Sequence, residues 1–246
     1  MNDAETCVQE LLPESARSEG WRGLAASFPV MIGFVPFALV LGAQATEKGF
    51  SAAEVPLMMG LNFGGGSEFA VLKLWTSPPH VLLVVAVTFL VNSRHLLMGA
   101  ALAPYIQHLP KRKAFPALFL MCDESWAMGL ADARRRLSAG AVPGFSLSYY
   151  LGASAGMYLT WIVFTTIGAV IGPWIGDVHA YGFDMAFTAV FLVLLKGMWK
   201  GVRAAYPWLV SLCSAALTCH FVHGAWYMAA GALSGVISAF FFSEEK

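Results

Sequence analysis

The chain alternates between long apolar runs and short clusters of charged residues, a pattern typical of a protein that crosses the membrane several times. A helix needs about 20 predominantly apolar residues to cross a hydrocarbon layer of roughly 30 Å. Runs that meet or approach this length predict spans at about 24–44, 55–75, 80–105, 146–172, 183–199, 206–219 and 222–242. We therefore predict an all-α fold: a polytopic integral membrane helix bundle of about seven spans, with broken or re-entrant helices.

The second predicted span, 55–75, is interrupted near its middle. The interruption consists of Asn62, Gly64, Gly65, Gly66, Ser67 and Glu68. Each glycine costs about 1 kcal/mol of helix propensity relative to alanine, so the helix should break there. Lipid cannot satisfy the backbone groups that a break exposes, so the break must face protein or a water-filled cavity, which is where transporters place substrate sites. These six residues are candidate substrate-binding residues.

The third predicted span carries Asn92, Arg94 and His95 about two-thirds of the way along. A charge at the centre of a membrane helix costs about 2.5–3.5 kcal/mol and normally has a partner. Glu68 and Arg94 have opposite sign on sequential spans, which fits a buried ion pair. It also fits a site in which Arg94 holds the carboxylate of a zwitterion and Glu68 its ammonium, with Asn92 beside them. Histidine is the residue type whose charge changes closest to neutral pH, so His95 is, with Glu68, a candidate proton carrier. The alternative is a histidine that only hydrogen-bonds to a helix carbonyl.

A short apolar segment, 114–131, is interrupted by Asp123 and Glu124 and has basic clusters at both ends. Because positive loops favour the cytoplasm, this segment is predicted to enter and leave the membrane on the same side, as a re-entrant element. If it crosses instead, the chain has eight spans. The two acids either cap a half-helix or line the pathway, where they would couple protons.

Small residues dominate part of the fourth predicted span, from Gly152 to Gly156. Small side chains let two membrane helices approach closely. The pattern predicts a tight helix contact at this position.

The amino-acid composition is that of a membrane protein and gives no sign of a nucleic-acid or metal-binding role. Of the 246 residues, 58% are hydrophobic and 12% charged, whereas a soluble domain carries about 25% charged residues. The formal net charge is zero, which gives no reason to expect a nucleic-acid partner. The four cysteines lack CxxC spacing, so we expect no metal site and no cofactor. We predict a polar, amphipathic segment at 1–23 and a single transmembrane transporter domain at 24–243.

Four motifs resemble the AzlC family of branched-chain amino acid exporters, and the resemblance runs over about residues 20–236. They are GFVPFALVLG at 33–42, GGGSEFAV at 64–71, VNSRHLLMGAALAPY at 91–105 and DESWA at 123–127. The element N-x-RH-x-LMG is the most specific of them. The chain departs from the family at Glu68, where glutamine is usual.

The resemblance implies export of leucine, isoleucine, valine or related hydrophobic amino acids, driven by the proton gradient. It also implies a multi-pass protein of the cytoplasmic (inner) membrane, a lipid bilayer around it, and a small membrane partner subunit of the AzlD type. It implies a transporter and not an enzyme.

Two other interpretations of the residues stay open. Ser67 with a histidine from a later span suggests an intramembrane serine hydrolase, although Phe69 stands where a G-x-S-x-G elbow needs its last glycine. The chain could also be a structural subunit that has no transport pathway of its own.

Overall fold

The computed structural model describes residues 15–175, 192, 196, 199, 201–202, 205–222 and 226–243. Within them the chain forms helices α1 Ala16–Glu47, α2 Glu54–Asn62, α3 Gly66–Leu74, α4 Val81–Asn92, α5 Arg94–Ile106, α6 Lys111–Phe119, α7 Asp123–Ser138, α8 Leu147–Ile175, α9 Tyr206–Phe221 and α10 Trp226–Ser243. The described residues contain no β-strand. The predicted all-α fold is confirmed.

Among the described residues, three helices are long and apolar enough to cross a membrane: Ala16–Glu47, Leu147–Trp174, and Val81–Ile106, which is α4 and α5 taken together. The count of seven spans stays a prediction. The predicted fifth span, 183–199, lies outside the described residues apart from isolated positions, as do the first 14 residues of the predicted N-terminal segment.

The first helix begins earlier than the predicted first span. The Ser15 hydroxyl caps α1 by accepting a hydrogen bond from the backbone N–H of Ser18, at 3.2 Å. From there α1 continues through Pro29 and Pro36 to Glu47. Residues 16–23 thus belong to the same helix, and two of their charged side chains, Glu19 and Arg22, have partners on α7.

Glycines bring α1 and α8 into close contact. A Cβ atom on Gly42 of α1 would overlap the carbonyl oxygen of Thr165 on α8. A Cβ atom on Gly152 of α8 would overlap the carbonyl oxygen of Gly20 on α1. The tight helix contact predicted from the small residues at 152–156 is therefore confirmed, and it joins the fourth predicted span to the first.

The second predicted span is broken, as its glycines indicated. Phe63 (φ 44°) and Gly65 (φ 55°) are both left-handed and separate α2 from α3. The N–H of Phe63 still donates to the carbonyl of Met59, at 3.0 Å, which closes the last turn of α2. Ser51 and Glu54 form a capping box at the other end of α2, and these hydrogen bonds lower the pKa of the exposed Glu54 carboxyl.

Two further helix interruptions lie within segments that the sequence pattern predicts as single elements. Ser93 separates α4 from α5 within the predicted third span. Residues 120–122 separate α6 from α7 within the predicted re-entrant segment. The two halves of that segment are helical, and its path relative to the membrane stays a prediction.

The helices group into two compact units. The first contains α1, α2, α5, α6, α7 and nearly all of α8, and the second contains α3, α4, α9 and α10. The chain changes units after Gly65 and again after Asn92, at two of its helix interruptions. In the first unit, apolar side chains from α5, α6, α7 and α8 form a buried core around Leu102 and Tyr150. The predicted single transporter domain stays a prediction.

In the second unit, α9 and α10 pack antiparallel along small residues. The Ser211 hydroxyl donates to the carbonyl of Gly231, at 2.8 Å, and Tyr206 stacks on Phe242. These helices correspond to the predicted spans 206–219 and 222–242. Interhelical serine hydrogen bonds of this kind hold membrane helices together.

Candidate functional site

Arg94 links two helix breaks within the first unit. It is the first residue of α5, and its Nη1 lies 2.9 Å from Oδ2 of Asp123, which begins α7 after the break at 120–122. Its Nη2 donates to the carbonyl oxygen of Gly64, inside the break that follows α2, at 3.1 Å. One guanidinium therefore connects the break after α2 with the start of α7, although the residues concerned are 30 or so positions apart in the chain.

Tyr158 of α8 makes a second link between the same elements. Its hydroxyl donates to the carbonyl oxygen of Gly60, at 2.7 Å. Its ring packs edge-on against Phe63 at the first break, with centroids 5.0 Å apart, and against Phe119 at the end of α6, at 6.0 Å. The Gly60 carbonyl is one of the last four of α2, which have no partner inside the helix. The Tyr158 hydroxyl thus takes the place of the backbone N–H that would bond to the Gly60 carbonyl in a continuous helix.

Phe63 is held in an unfavourable backbone conformation by its surroundings. A left-handed conformation costs a residue with a Cβ atom roughly 1–2 kcal/mol. The Phe63 side chain is buried, and burial of an aromatic ring contributes about 1.5–3 kcal/mol. The contact with Tyr158 therefore offsets the backbone strain and keeps the break in one conformation.

Arg94 keeps hydrogen-bonding capacity for a ligand. A guanidinium has five N–H donors. The Nε–H of Arg94 is buried and has no hydrogen-bond partner among the described residues. The Arg94 and Asp123 side chains are 37% and 41% exposed, so their ion pair is only partly enclosed by the described residues.

The other predicted site residues are distributed over both units. Asn62 ends α2 and His95 is the second residue of α5, both in the first unit, as is Glu124 in the first turn of α7. Gly66, Ser67 and Glu68 begin α3 and Asn92 ends α4, in the second unit. Ser67 and Glu68 are buried, and an acidic residue in a first helical turn is favoured by the helix dipole. The ion pair found at Arg94 is with Asp123, and the predicted pair with Glu68 stays a prediction.

Sequence reasoning missed a charge cluster at the start of α1. We use this name for Glu19 and Arg22 of α1 with Asp132, Arg135 and Arg136 of α7. Arg22 binds Glu19 at 3.0 Å and Asp132 at 2.9 Å, while Arg135 binds Asp132 at 2.8 Å and Arg136 binds Glu19 at 3.0 Å. The i,i+3 spacing of Glu19 with Arg22, and of Asp132 with Arg135, is a signal the sequence did contain.

The charge cluster has a structural role that its burial explains. Glu19 and Asp132 are both buried, and a buried carboxylate needs charged or hydrogen-bonding partners. The guanidinium of Arg22 also lies over the ring of Tyr149 on α8, 4.2 Å from its centroid. The cluster therefore fastens α1 to α7 and α8.

Tyr158 was also missed, because a lone tyrosine in an apolar span carries no distinctive pattern.

Within the described residues, no group of three His, Cys, Asp or Glu side chains is placed to hold a metal ion. The Arg94 site offers a guanidinium, a carboxylate and backbone carbonyl groups, which form hydrogen bonds and ion pairs. Such a site can bind and release a small charged ligand.

Comparisons with known proteins agree on one family. The family model described as AzlC protein matches residues 29–175. An uncharacterized membrane protein of Archaeoglobus fulgidus is 30% identical over 189 residues, which cover 75% of this chain and 78% of the relative. The branched-chain amino acid transport protein AzlC of Bacillus subtilis is 25% identical over 200 residues, 80% of this chain and 76% of the relative.

A third relative, the inner membrane protein YgaZ of Escherichia coli, is 24% identical over 192 residues, 78% of this chain and 75% of the relative. No solved structure gives a significant match. The matched family region contains both helix breaks, Arg94, Asp123 and Tyr158. The chain therefore belongs to the AzlC family.

Proposed function

We propose that this protein is a secondary transporter that exports branched-chain or related hydrophobic amino acids across the cytoplasmic membrane, coupled to protons. The observation that carries the proposal is Arg94, which bridges Gly64 and Asp123 and retains a buried Nε–H without a partner among the described residues. The transport name of the Bacillus subtilis relative supports the substrate class. It also favours transport over the hydrolase and structural-subunit interpretations.

The substrate carboxylate would bind Arg94 and replace Asp123 as its partner. The ammonium would bind carbonyl oxygens at the C-terminal end of α2, which is the negative end of the helix dipole. Asn62, Gly64 and Gly65, in the same unit as Arg94, would supply further hydrogen bonds. Gly66, Ser67, Glu68 and Asn92 stay predicted substrate-binding residues of the second unit. A carboxylate bound bidentately by a guanidinium is held in a defined orientation.

Proton coupling follows from the same exchange. When the substrate carboxylate takes its place on Arg94, Asp123 loses its counter-ion, and its carboxylate would be free to accept a proton. Glu124, His95 and Glu68 are the other proposed proton carriers. One charge moved across 100 mV releases about 2.3 kcal/mol, which supports a concentration ratio of several tens-fold for each proton exchanged.

A small AzlD-type subunit is the proposed partner in the bilayer. Helix α9 has 16 residues and rises about 24 Å, less than the roughly 30 Å of hydrocarbon. A short apolar helix is better matched by another protein helix than by a full-thickness bilayer. The proposal predicts that export is highest when the two subunits are produced together.

Efflux of labelled leucine from proteoliposomes tests the proposal, with and without the small subunit. Arg94→Ala and Glu68→Ala should abolish efflux and leave membrane insertion intact, and Arg94→Lys should restore only part of it, because an ammonium cannot bind a carboxylate bidentately. Arg112→Ala, the same change at an exposed position on α6, is the matched control. Efflux at the wild-type rate in Arg94→Ala and Glu68→Ala would refute the site.

A further inference from the structure

Four polar side chains meet where the first turn of α7 packs against α8, and we call this group the hydroxyl pocket. It consists of Cys122 and Ser125 at the start of α7 with Tyr150 and Ser154 of α8. Ser125, Tyr150 and Ser154 are at most 1% exposed. None of the four served as a site residue in the sequence reasoning or in the proposed substrate exchange at Arg94.

Two hydroxyls in this pocket lack a hydrogen bond. The Ser125 hydroxyl accepts from the N–H of Cys122, at 2.9 Å, and donates to its carbonyl, at 3.2 Å. The Tyr150 hydroxyl lies close to those of Ser125 and Ser154. Neither Tyr150 Oη nor Ser154 Oγ has a hydrogen-bond partner among the described residues, and the same holds for Nε1 of Trp126, one residue after Ser125.

Buried hydroxyls in folded proteins almost always have a partner, and ordered water is the usual one when no protein group is in reach. The pocket's side chains carry no carboxylate and no cation, so they suit a neutral ligand that both donates and accepts. A water molecule needs two to four polar partners, and this pocket offers hydroxyls from two helices.

The pocket adjoins a partly buried acid of the proposed proton pathway. The Glu124 carboxyl interacts with the thiol of Cys122 and with the charges of Asp123 and Arg94. These are the titratable and charged groups of the described residues that face it, from the start of α7 and from α5. Tyr150 interacts with the same Cys122 from the side of α8. Glu124 is thus electrostatically coupled to Arg94 and Cys122, and Cys122 to Tyr150.

We propose that ordered water binds in the hydroxyl pocket, held by Tyr150 and Ser154, and carries protons to and from Glu124. A water molecule would receive a proton from a neighbouring water on one side as one of its own O–H bonds breaks and a new O–H bond forms on a Glu124 carboxylate oxygen, so the relaying water stays neutral, and the reverse step would return the proton to water. The proton-carrying part rests on the proposed function, while the water-binding part does not depend on it.

Radiolytic footprinting in ¹⁸O-labelled water tests the water-binding part on the wild-type protein. Hydroxyl radicals formed from bound water label the side chains beside it, even where bulk solvent has no access. We expect ¹⁸O on Tyr150 and Trp126 at a level above that of Phe145, a buried ring that packs against Tyr150 with centroids 5.5 Å apart, after correction for intrinsic reactivity. Labelling of Tyr150 no higher than that of Phe145 would overturn water binding.

Two transport measurements test the proton-carrying part. Tyr150→Phe and Ser154→Ala should slow pH-driven leucine efflux by about tenfold, since the loss of one net hydrogen bond raises a barrier by roughly that factor. Leucine exchange between equal pools needs no net proton movement and should stay at the wild-type rate. Tyr105→Phe, the same chemical change on α5, is the control.

The measurements distinguish the proton path, the proposed export function and water binding from one another. Unchanged efflux in Tyr150→Phe, or equal losses of efflux and exchange, would overturn the proton path and leave the proposed export function standing. Absence of leucine efflux in the wild-type protein would refute the proposed function and the proton path with it, and the ¹⁸O labelling would still report whether water binds.

Discussion

Replacing Tyr158 with phenylalanine removes one hydroxyl from α8 and should loosen the helix break at residues 63–65. In the wild-type protein this hydroxyl donates to the Gly60 carbonyl, at 2.7 Å. The ring contacts with Phe63 and Phe119 do not involve the hydroxyl, so the variant should keep them. The substitution therefore isolates one hydrogen bond at the C-terminal end of α2.

The size of the effect follows from the position of the Gly60 carbonyl. Gly60 is buried, and its carbonyl is one of the four at the end of α2 that lack a helical partner. A buried acceptor left without a partner costs about 1–3 kcal/mol. Since 1.4 kcal/mol is a factor of ten in an equilibrium constant, local opening of the break should become about 5 to 150 times more frequent.

Hydrogen–deuterium exchange measures this opening directly. The amide of Phe63 donates to the Met59 carbonyl at 3.0 Å. In Tyr158→Phe this amide should exchange faster by the same factor. Leucine efflux should fall, because the Arg94 site is less often assembled. Tyr206→Phe, on α9 in the second unit, is the matched control. Exchange of residues 59–65 at the wild-type rate, or an equal increase in Tyr206→Phe, would refute this account of the break.

Two other substitutions test the packing of the first unit, with thermal unfolding of the detergent-solubilised protein as the measurement. Gly42→Val places a side chain on the Thr165 carbonyl and should lower Tm by about 2–12 °C. Gly33→Val on the same helix is the control and should change Tm little, because a Cβ atom there meets nothing within 4 Å. Asp132→Asn removes a carboxylate that is 3% exposed and should lower the free energy of unfolding by about 1–3 kcal/mol, less than for a fully buried pair because its arginine partners are partly exposed. Arg135→Gln, at a side chain that is 69% exposed, should cost no more than about 0.5 kcal/mol. Equal effects within either pair of variants would contradict the packing described here.

Local features of the chain were readable from the sequence. A glycine triplet weakens a helix wherever it stands, so the position of the break beside Gly64 follows from helix propensity alone. The helical segments at 147–175, 206–221 and 226–243 follow from uncharged apolar runs in the same way. Close packing at Gly152 follows from side-chain size.

Features that depend on distant partners were not readable. The early start of α1 depends on Glu19 and Arg22 meeting α7, and polar composition alone places those residues in a separate surface segment. The charge cluster joins residues more than a hundred positions apart, and no local spacing specifies such pairing.

The sequence by itself determined that this is a helical membrane protein with a broken helix, because hydropathy and helix propensity act over a few neighbouring residues. It also carries the motifs of the AzlC family. Only the tertiary structure decided which polar groups meet. Arg94 has Asp123 and Gly64 as partners, and Tyr158 reaches Gly60, because packing of α5, α7 and α8 brings these residues together. Partner choice between buried charges depends on distances of a few ångströms, and those distances exist only once the helices have packed.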